Sequence, residues 1–356
     1  MSLITALRTT DTTDVLTRLR AVCGTHGLAD LASRLSALSD LVRWDLAEVE
    51  EVLRNLPAAR NMVQQAAAHL LDLGGKRLRP MCVALASRAG QGFGPDGREL
   101  AVAVELVHSA TLLHDDVVDV GEVRRGKPAA RTIYGNAASV FAGDFLLVEA
   151  LKRVRAAGVP GTLERLLEVI EEMIFAESIQ LEHRGRVQGD PDVYFQVVEG
   201  KTAALFRWGM FAGGRAGALD DAACAALEAY GLHLGVAFQL VDDLLDYVGD
   251  ADVTGKELFA DLREGKTTYP LLVALEREPS LRDAVEEVVA APAGPLPESL
   301  RRRLLRGVTH PEVIDACRTL AAYRAEQAVQ HLVPFEDGPA KAALVTVAEA
   351  TVHREA

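Results

Sequence analysis

The chain has 356 residues, enough to bury a large core as one big domain or two ordinary ones. Hydrophobic residues make up 49% and charged residues 25%, a balance that excludes a disordered chain, and a formal net charge of −13 argues against a general nucleic-acid binder, which carries a basic face. Aromatics are only 5%, while Ala, Leu, Val and Arg recur throughout, a mix that favours helix over sheet.

The first fourteen residues hold no apolar core flanked by basic groups, so no secretory signal is expected there. No uninterrupted apolar run approaches the ~18 residues that span a membrane. Cys23, Cys82, Cys224 and Cys317 lie far apart without CxxC spacing and read as thiols of a reducing compartment. The expectation is a soluble, cytoplasmic protein.

In chain order, apolar residues at helical spacing mark 46–56, 60–72, 78–89, 98–120, 136–156, 163–182, 192–213, 221–248, 268–277, 281–290, 311–332 and 338–353, and convincing alternating strands are absent. Breakers at 90–95, 158–161, 189–191 and 291–295 are too short to link independent domains. Residues 46–356 therefore read as one all-α domain. Residues 1–45 read as an extension with helical stretches at 15–22 and 28–41, which pack on the main body or on a partner.

The first motif along the chain is Leu73-Gly74-Gly75-Lys76-Arg77-Leu78-Arg79-Pro80, at a helix start. Its glycines allow close backbone approach, and Lys76 and Arg79 can reach one anion. The helix over 98–120 ends in Leu112-Leu113-His114-Asp115-Asp116-Val117-Val118-Asp119. Asp115 and Asp119 are four residues apart and face the same side, where two bare carboxylates repel each other. His108 lies on the same stripe, and Arg124 and Arg125 follow within a short loop, placed to clamp phosphate oxygens. The acidic spacing recurs in Phe238-Gln239-Leu240-Val241-Asp242-Asp243-Leu244-Leu245-Asp246, on another apolar helix. Gly231 and Gly235 share the stripe of Asp242 and read as small residues at a helix crossing.

One such acidic motif is as well explained by a solvated helix end. Two in apolar helices are costly unless cations sit between the carboxylates. Oxygen ligands in pairs suit Mg²⁺, which takes one or two carboxylates plus phosphate oxygens, whereas no His or Cys spacing suits zinc. The pattern therefore points to a diphosphate–metal site. Lys201 in Glu199-Gly200-Lys201-Thr202-Ala203, Lys256 after Gly255, and Lys266 before Thr267 are further candidate cations.

Taken together, GGKRLRP, LLHDDVVD, the following RRG, KTA, GVAFQLVDDLLD and DLREGKTT resemble the trans-isoprenyl diphosphate synthases, the polyprenyl synthetase family, in order and spacing from about residue 45 to the C-terminus. The resemblance implies a helical bundle around a deep central pocket, with isopentenyl diphosphate and an allylic diphosphate as substrates and three Mg²⁺ ions as cofactor. Asp115 and Asp119 would hold two of these ions and Asp242 a third, with Asp116, Asp243 and Asp246 supporting. Arg124, Lys201 and Lys266 would bind the allylic diphosphate, joined by Thr202, Gln239 and Gln180, with Lys256 on an outer loop. Lys76, Arg79, His108 and Arg125 would bind isopentenyl diphosphate. Phe259 and Ala260 depart from the family pattern in that outer loop, as do Ala176 and Gly200 elsewhere.

By the same resemblance the allylic diphosphate ionises, the double bond of isopentenyl diphosphate attacks the cation, and a proton leaves, with no protein nucleophile. Small residues at Ala110 and Thr111, with Val107 and Ala103 deeper, would leave the chain tunnel open and favour a long product. The alternatives are a short-chain synthase making farnesyl or geranylgeranyl diphosphate, a subunit of a heteromeric synthase, and a terpene cyclase. The cyclase is disfavoured because this chain has the basic GGKRLRP motif and a second acidic motif. A homodimer is implied, together with a peripheral membrane contact for product release.

Overall fold

The computed structural model describes residues 29–56, 59–187, 189–248, 262, 266–290 and 297–353. Lys256, the 259–261 departure, Cys23 and the stretch 15–22 lie outside the described residues.

The chain is all-α, as its periodicity predicts. Helix α1 spans Ala29–Arg54 and runs without a break through residue 45. Leu31, Leu35, Leu38, Val42, Leu46, Val49 and Leu53 recur three or four apart and are all at most 5% exposed, so one apolar stripe carries the helix past the expected boundary. Then come α2 (Met62–Asp72), capped by Asn61 through Gln64 N–H, α3 (Leu78–Arg88), and α4 (Pro95–Val118), with proline in its first turn.

A two-residue hairpin follows, β1 (Val123–Arg124) pairing antiparallel with β2 (Lys127–Pro128), which the sequence reading did not contain. Its loop residues Arg125 and Gly126 both have positive φ, 52° and 71°, as the tight hairpin turn requires. Next are α5 (Ala130–Tyr134), α6 (Asn136–Ala157), α7 (Thr162–His183) and α8 (Pro191–Val198). The predicted helix over 192–213 is realised as α8, a π-helical turn (Glu199–Ala203) and α9 (Ala204–Ala216) in immediate succession. Helices α10 (Asp221–Val248), α11 (Tyr269–Arg277), α12 (Leu281–Ala290), α13 (Glu298–Val308), α14 (Pro311–Gln330) and α15 (Pro339–Val352) complete the order. The sequence reading had no helix at α13. Its charged run Arg301-Arg302-Arg303 masks a narrow stripe of buried Leu300, Leu304 and Val308.

The described residues gather in two compact units. One holds those up to Leu163, with Gly209–Ala225 and Phe335–Thr346. There α4 packs against α1, α2, α3, α5 and α6, which explains why Leu100–Leu106 is apolar almost without interruption. The second unit holds Glu164–Trp208, Ala226–Pro334 and the described residues from Val347 on. Its core gathers Leu244, Tyr247, Leu271, Leu275, Leu304 and Cys317, with a second cluster of Tyr194, Val198, Val236 and Leu240. By length and hydropathy α10 could cross a membrane, but 56% of that stretch is buried inside the protein, as in a core helix.

Candidate active site

The end of α4 carries the first acidic motif. Asp119 caps the helix, its N–H donating to the carbonyl of Asp115 at 2.8 Å, so both side chains share the terminal turn. Helix C-termini bear partial negative charge, which adds to that of the carboxylates and makes the turn a cation attractor. Asp116 points elsewhere. It is 1% exposed, and its Oδ1 accepts from Arg124 Nε at 2.9 Å and Nη2 at 2.5 Å. Arg124, expected on the allylic diphosphate, is thus engaged with a buried carboxylate that would otherwise lack a countercharge. The hairpin that carries it also turns Arg125 toward the Gly75 loop, where a β-carbon on Gly75 would lie 3.1 Å from the Arg125 guanidinium.

The loop before α3 separates its basic residues by role. Arg77 is 4% exposed and takes the left-handed conformation (φ 50°) at the helix N-cap. Its Nε donates to Glu50 Oε2 at 2.8 Å and its Nη1 to Glu105 Oε1 at 2.5 Å, which joins α1, the loop and α4. Burial lowers its pKa, but Glu105 and Glu50 outweigh burial and raise it, so the pair of carboxylates always meets a cation. The N-cap residue Arg77 makes no side-chain capping bond to α3, and a helix N-terminus favours an anion beside Lys76 and Arg79. His108 belongs to the same group. Burial first, then the guanidinium groups of Arg79, Arg125, Arg124 and Arg77, push its pKa well below the usual histidine value. The ring is neutral and offers a hydrogen bond rather than a charge. Arg79, His108 and Arg125 therefore lie near one another, with Arg77 as the buttress that sequence reading missed.

In the second unit, Lys201, Thr202, Gln239 and Lys266 line one cavity of about 170 Å³, together with Gln180, Tyr194 and Asp243. The close approach of α10 to the π-helical turn builds it. A β-carbon on Gly235 would lie 2.5 Å from Ala203 Cα, and one on Gly231 2.8 Å from the Phe206 carbonyl, so only glycine permits this packing. The two departures Ala176 and Gly200 answer each other: a β-carbon on Gly200 would lie 2.7 Å from that of Ala176. The turn carrying Lys201 can rest on α7 only because one of the two residues lacks a side chain. π-helical turns widen a helix locally and recur at functional sites.

Asp243 is 3% exposed and bound by protein donors, with Tyr194 Oη at 2.7 Å from Oδ2 and Gln239 Nε2 at 2.7 Å from Oδ1. Gln239 Oε1 in turn accepts from Thr202 Oγ1 at 2.8 Å. Lys201 Nζ lies 2.5 Å from Glu177 Oε2, a partner that motif spacing did not reveal. Lys266 reaches the cavity wall, and Tyr247 Oη pairs with Thr268 Oγ1 at 2.8 Å behind it.

The six motif aspartates therefore divide by exposure. Asp116, Asp243 and Asp246 are buried at 1–4%, whereas Asp115, Asp119 and Asp242 are partly exposed. Among the described residues no three His, Cys, Asp or Glu side chains gather as a ready-made metal site. Paired all-oxygen donors nevertheless fit Mg²⁺, which leaves most of its coordination to phosphate and water. Of the tunnel positions, Val107 and Ala110 are 1% exposed and closely packed. Thr111, one turn before Asp115, is partly exposed, with its hydroxyl on the His108 carbonyl at 2.8 Å.

An all-α chain with two such carboxylate pairs, each accompanied by its own group of cations, is of the isoprenoid synthase class. The polyprenyl synthetase family model matches residues 60–295. The chain is 35% identical over 337 residues to octaprenyl diphosphate synthase of Escherichia coli, covering 90% of this chain and 99% of that protein. Among solved structures it is similar to a Caulobacter crescentus polyprenyl synthase complexed with calcium and isoprenyl diphosphate (36% identity, TM-score 0.84, covering 90% and 98% of the two chains). It is also similar to a decaprenyl diphosphate synthase from Rhodobacter capsulatus (33% identity, TM-score 0.80, covering 88% and 97%). The chain belongs to the polyprenyl synthetase family, and it is a prenyltransferase.

Proposed function

We propose that the chain condenses isopentenyl diphosphate with an allylic diphosphate, in a Mg²⁺-dependent reaction, to give a medium- to long-chain all-trans polyprenyl diphosphate. The observation that carries this reading is the division of the aspartates, which leaves one carboxylate set per motif accessible and ties the rest into protein. Asp115, Asp119 and Asp242 would hold the ions, three per site as the resemblance implies. Bound Mg²⁺ would supply Lewis-acid stabilisation of the departing diphosphate. Lys201, Lys266, Thr202 and Gln239 bind and orient the allylic diphosphate from their shared cavity, and Lys201 can donate to phosphate while it stays on Glu177. Lys256 would join them from the outer loop. Lys76, Arg79, Arg125 and the neutral His108 hold isopentenyl diphosphate at the N-terminus of α3. Arg124 would bind the allylic diphosphate, as the resemblance implies, while its Nε and Nη2 stay on Asp116. The departing diphosphate takes the proton, so no side chain need act as nucleophile or base.

The decisive assay is purified chain with Mg²⁺, isopentenyl diphosphate and a panel of allylic primers, followed by product chromatography. Products of twenty-five carbons or more are expected. A C15 or C20 product would favour the short-chain alternative, and turnover only on adding a second chain would favour a heteromeric synthase. Product length is expected to respond at Thr111, since a ring at close-packed Ala110 would strain the fold first. Thr111→Phe should shorten the main product by two or more isoprene units, and an unchanged distribution would remove this wall from the tunnel.

Two helices support the homodimer. Helix α6 exposes Val140, Phe141 and Val148, and α7 exposes Leu167, Ile174, Phe175 and Leu181, more apolar surface than single scattered residues explain. Phe175→Glu should convert a dimer to monomer in light scattering of the eluted protein; a wild-type elution mass equal to one chain would refute the dimer. Cys82, Cys224 and Cys317 are buried free thiols, which suits a reducing cytosol.

A further inference from the structure

We infer that Tyr194, outside every sequence motif, is a positioning residue for the allylic diphosphate, acting through a relay that ends at Thr202. The relay runs from Tyr194 Oη to Asp243 Oδ2 (2.7 Å), from Asp243 Oδ1 to Gln239 Nε2 (2.7 Å), and from Gln239 Oε1 to Thr202 Oγ1 (2.8 Å). Each link sets the polarity of the next. Asp243 Oδ1 accepts from the amide NH₂ of Gln239, which leaves the Gln239 carbonyl facing Thr202. Thr202 then has its hydroxyl proton committed to Gln239, with its oxygen placed on the cavity wall beside Lys201.

The tyrosine itself is held firmly. It is 8% exposed, and its ring packs edge-on against Phe195 (5.1 Å between centroids) and tilted against Tyr269 (5.7 Å). The Arg324 guanidinium lies 5.3 Å from the centre of the Phe195 ring and extends this support to α14. Tyr269 N–H also approaches Asp243 Oδ2, at a long 3.5 Å. Removing the Tyr194 hydroxyl takes away the short bond to Oδ2 and so loosens Asp243 and, through it, the amide of Gln239. Both Tyr194 and Asp243 line the cavity, so the relay reaches bound ligand without passing through the rest of the protein.

This inference rests on the reading that the cavity takes the allylic diphosphate. The test is Tyr194→Phe, which keeps the ring packing and removes one oxygen. The KM for the allylic diphosphate should rise about tenfold or more, the scale of a hydrogen bond to a buried charged group, while the KM for isopentenyl diphosphate and the melting temperature stay near wild type. In a Gln239→Ala background the same change should add less than about twofold, because the relay is already cut. Equal rises in both KM values, an unchanged allylic KM, or effects that multiply in the double variant would each overturn the relay. Wild-type protein that turns over normally while Tyr194→Phe matches it would sink the relay alone. Wild-type protein inactive with every primer would sink the functional reading and the relay together.

Discussion

Asp115→Ala and Asp242→Ala are each expected to lower turnover by about three orders of magnitude or more, with the fold intact. Both carboxylates are partly exposed, and Asp115 lies in a helix, where alanine is the better helix former. Removing one member of an i,i+4 acidic pair also relieves a repulsion of a few tenths of a kcal/mol. The variants should therefore melt at or slightly above the wild-type temperature while activity collapses. Asp116→Ala and Asp243→Ala should behave differently. Each removes a buried carboxylate that two or more donors depend on, and each should lower the melting temperature as well as the rate. Steady-state kinetics in saturating Mg²⁺ beside thermal unfolding would separate the two patterns. Near-wild-type rates for Asp115→Ala would end the assignment of the exposed aspartates to metal.

Arg77→Met should cost about 3–5 kcal/mol of stability. Arg77 has a side chain only 3% exposed and sits between Glu105, equally buried, and Glu50, which is 18% exposed. Without the guanidinium, Glu50 can turn to water but buried Glu105, on α4, loses its hydrogen-bonded partner and keeps only the charges of Arg79 and Arg125 nearby. Arg77→Met combined with Glu105→Leu should recover most of the loss, because a buried ion pair and a well-packed apolar pair of similar volume are close in free energy. The urea midpoint of the three proteins would measure this. A single variant as stable as wild type would show that the triad does not clamp α1 to the loop. The single variant should also raise the KM for isopentenyl diphosphate, since Lys76 and Arg79 flank the clamp; the double variant should repair stability without fully repairing that KM.

Much of the candidate site is legible along the chain because its parts are local. A four-residue interval puts Asp115 with Asp119 on one helix face in any fold, and the same holds for Asp242 with Asp246. The glycines and cations of residues 74–79 mark a helix start that an anion can approach. Other features depend on partners far away in sequence. That Arg77 is a structural clamp follows from Glu50 and Glu105, 27 and 28 residues off. Ala176 and Gly200 look like separate departures until Gly200 is seen to have no room for a β-carbon beside that of Ala176. Tyr194 carries no motif signal, and the charged run that hides α13 becomes a helix because three apolar residues find a core.

Composition and helical periodicity by themselves determined that this protein is all-α, and the two acidic motifs with their basic companions determined its chemistry. Hydrogen-bonding geometry within a helix is set by near neighbours, so such patterns survive in one dimension. Tertiary packing decided which member of each aspartate motif stays accessible, which arginines are tied to carboxylates, and how Thr202 is oriented. Those outcomes turn on the cost of burying a charge, and that cost depends on whatever distant side chain supplies the countercharge or the donor.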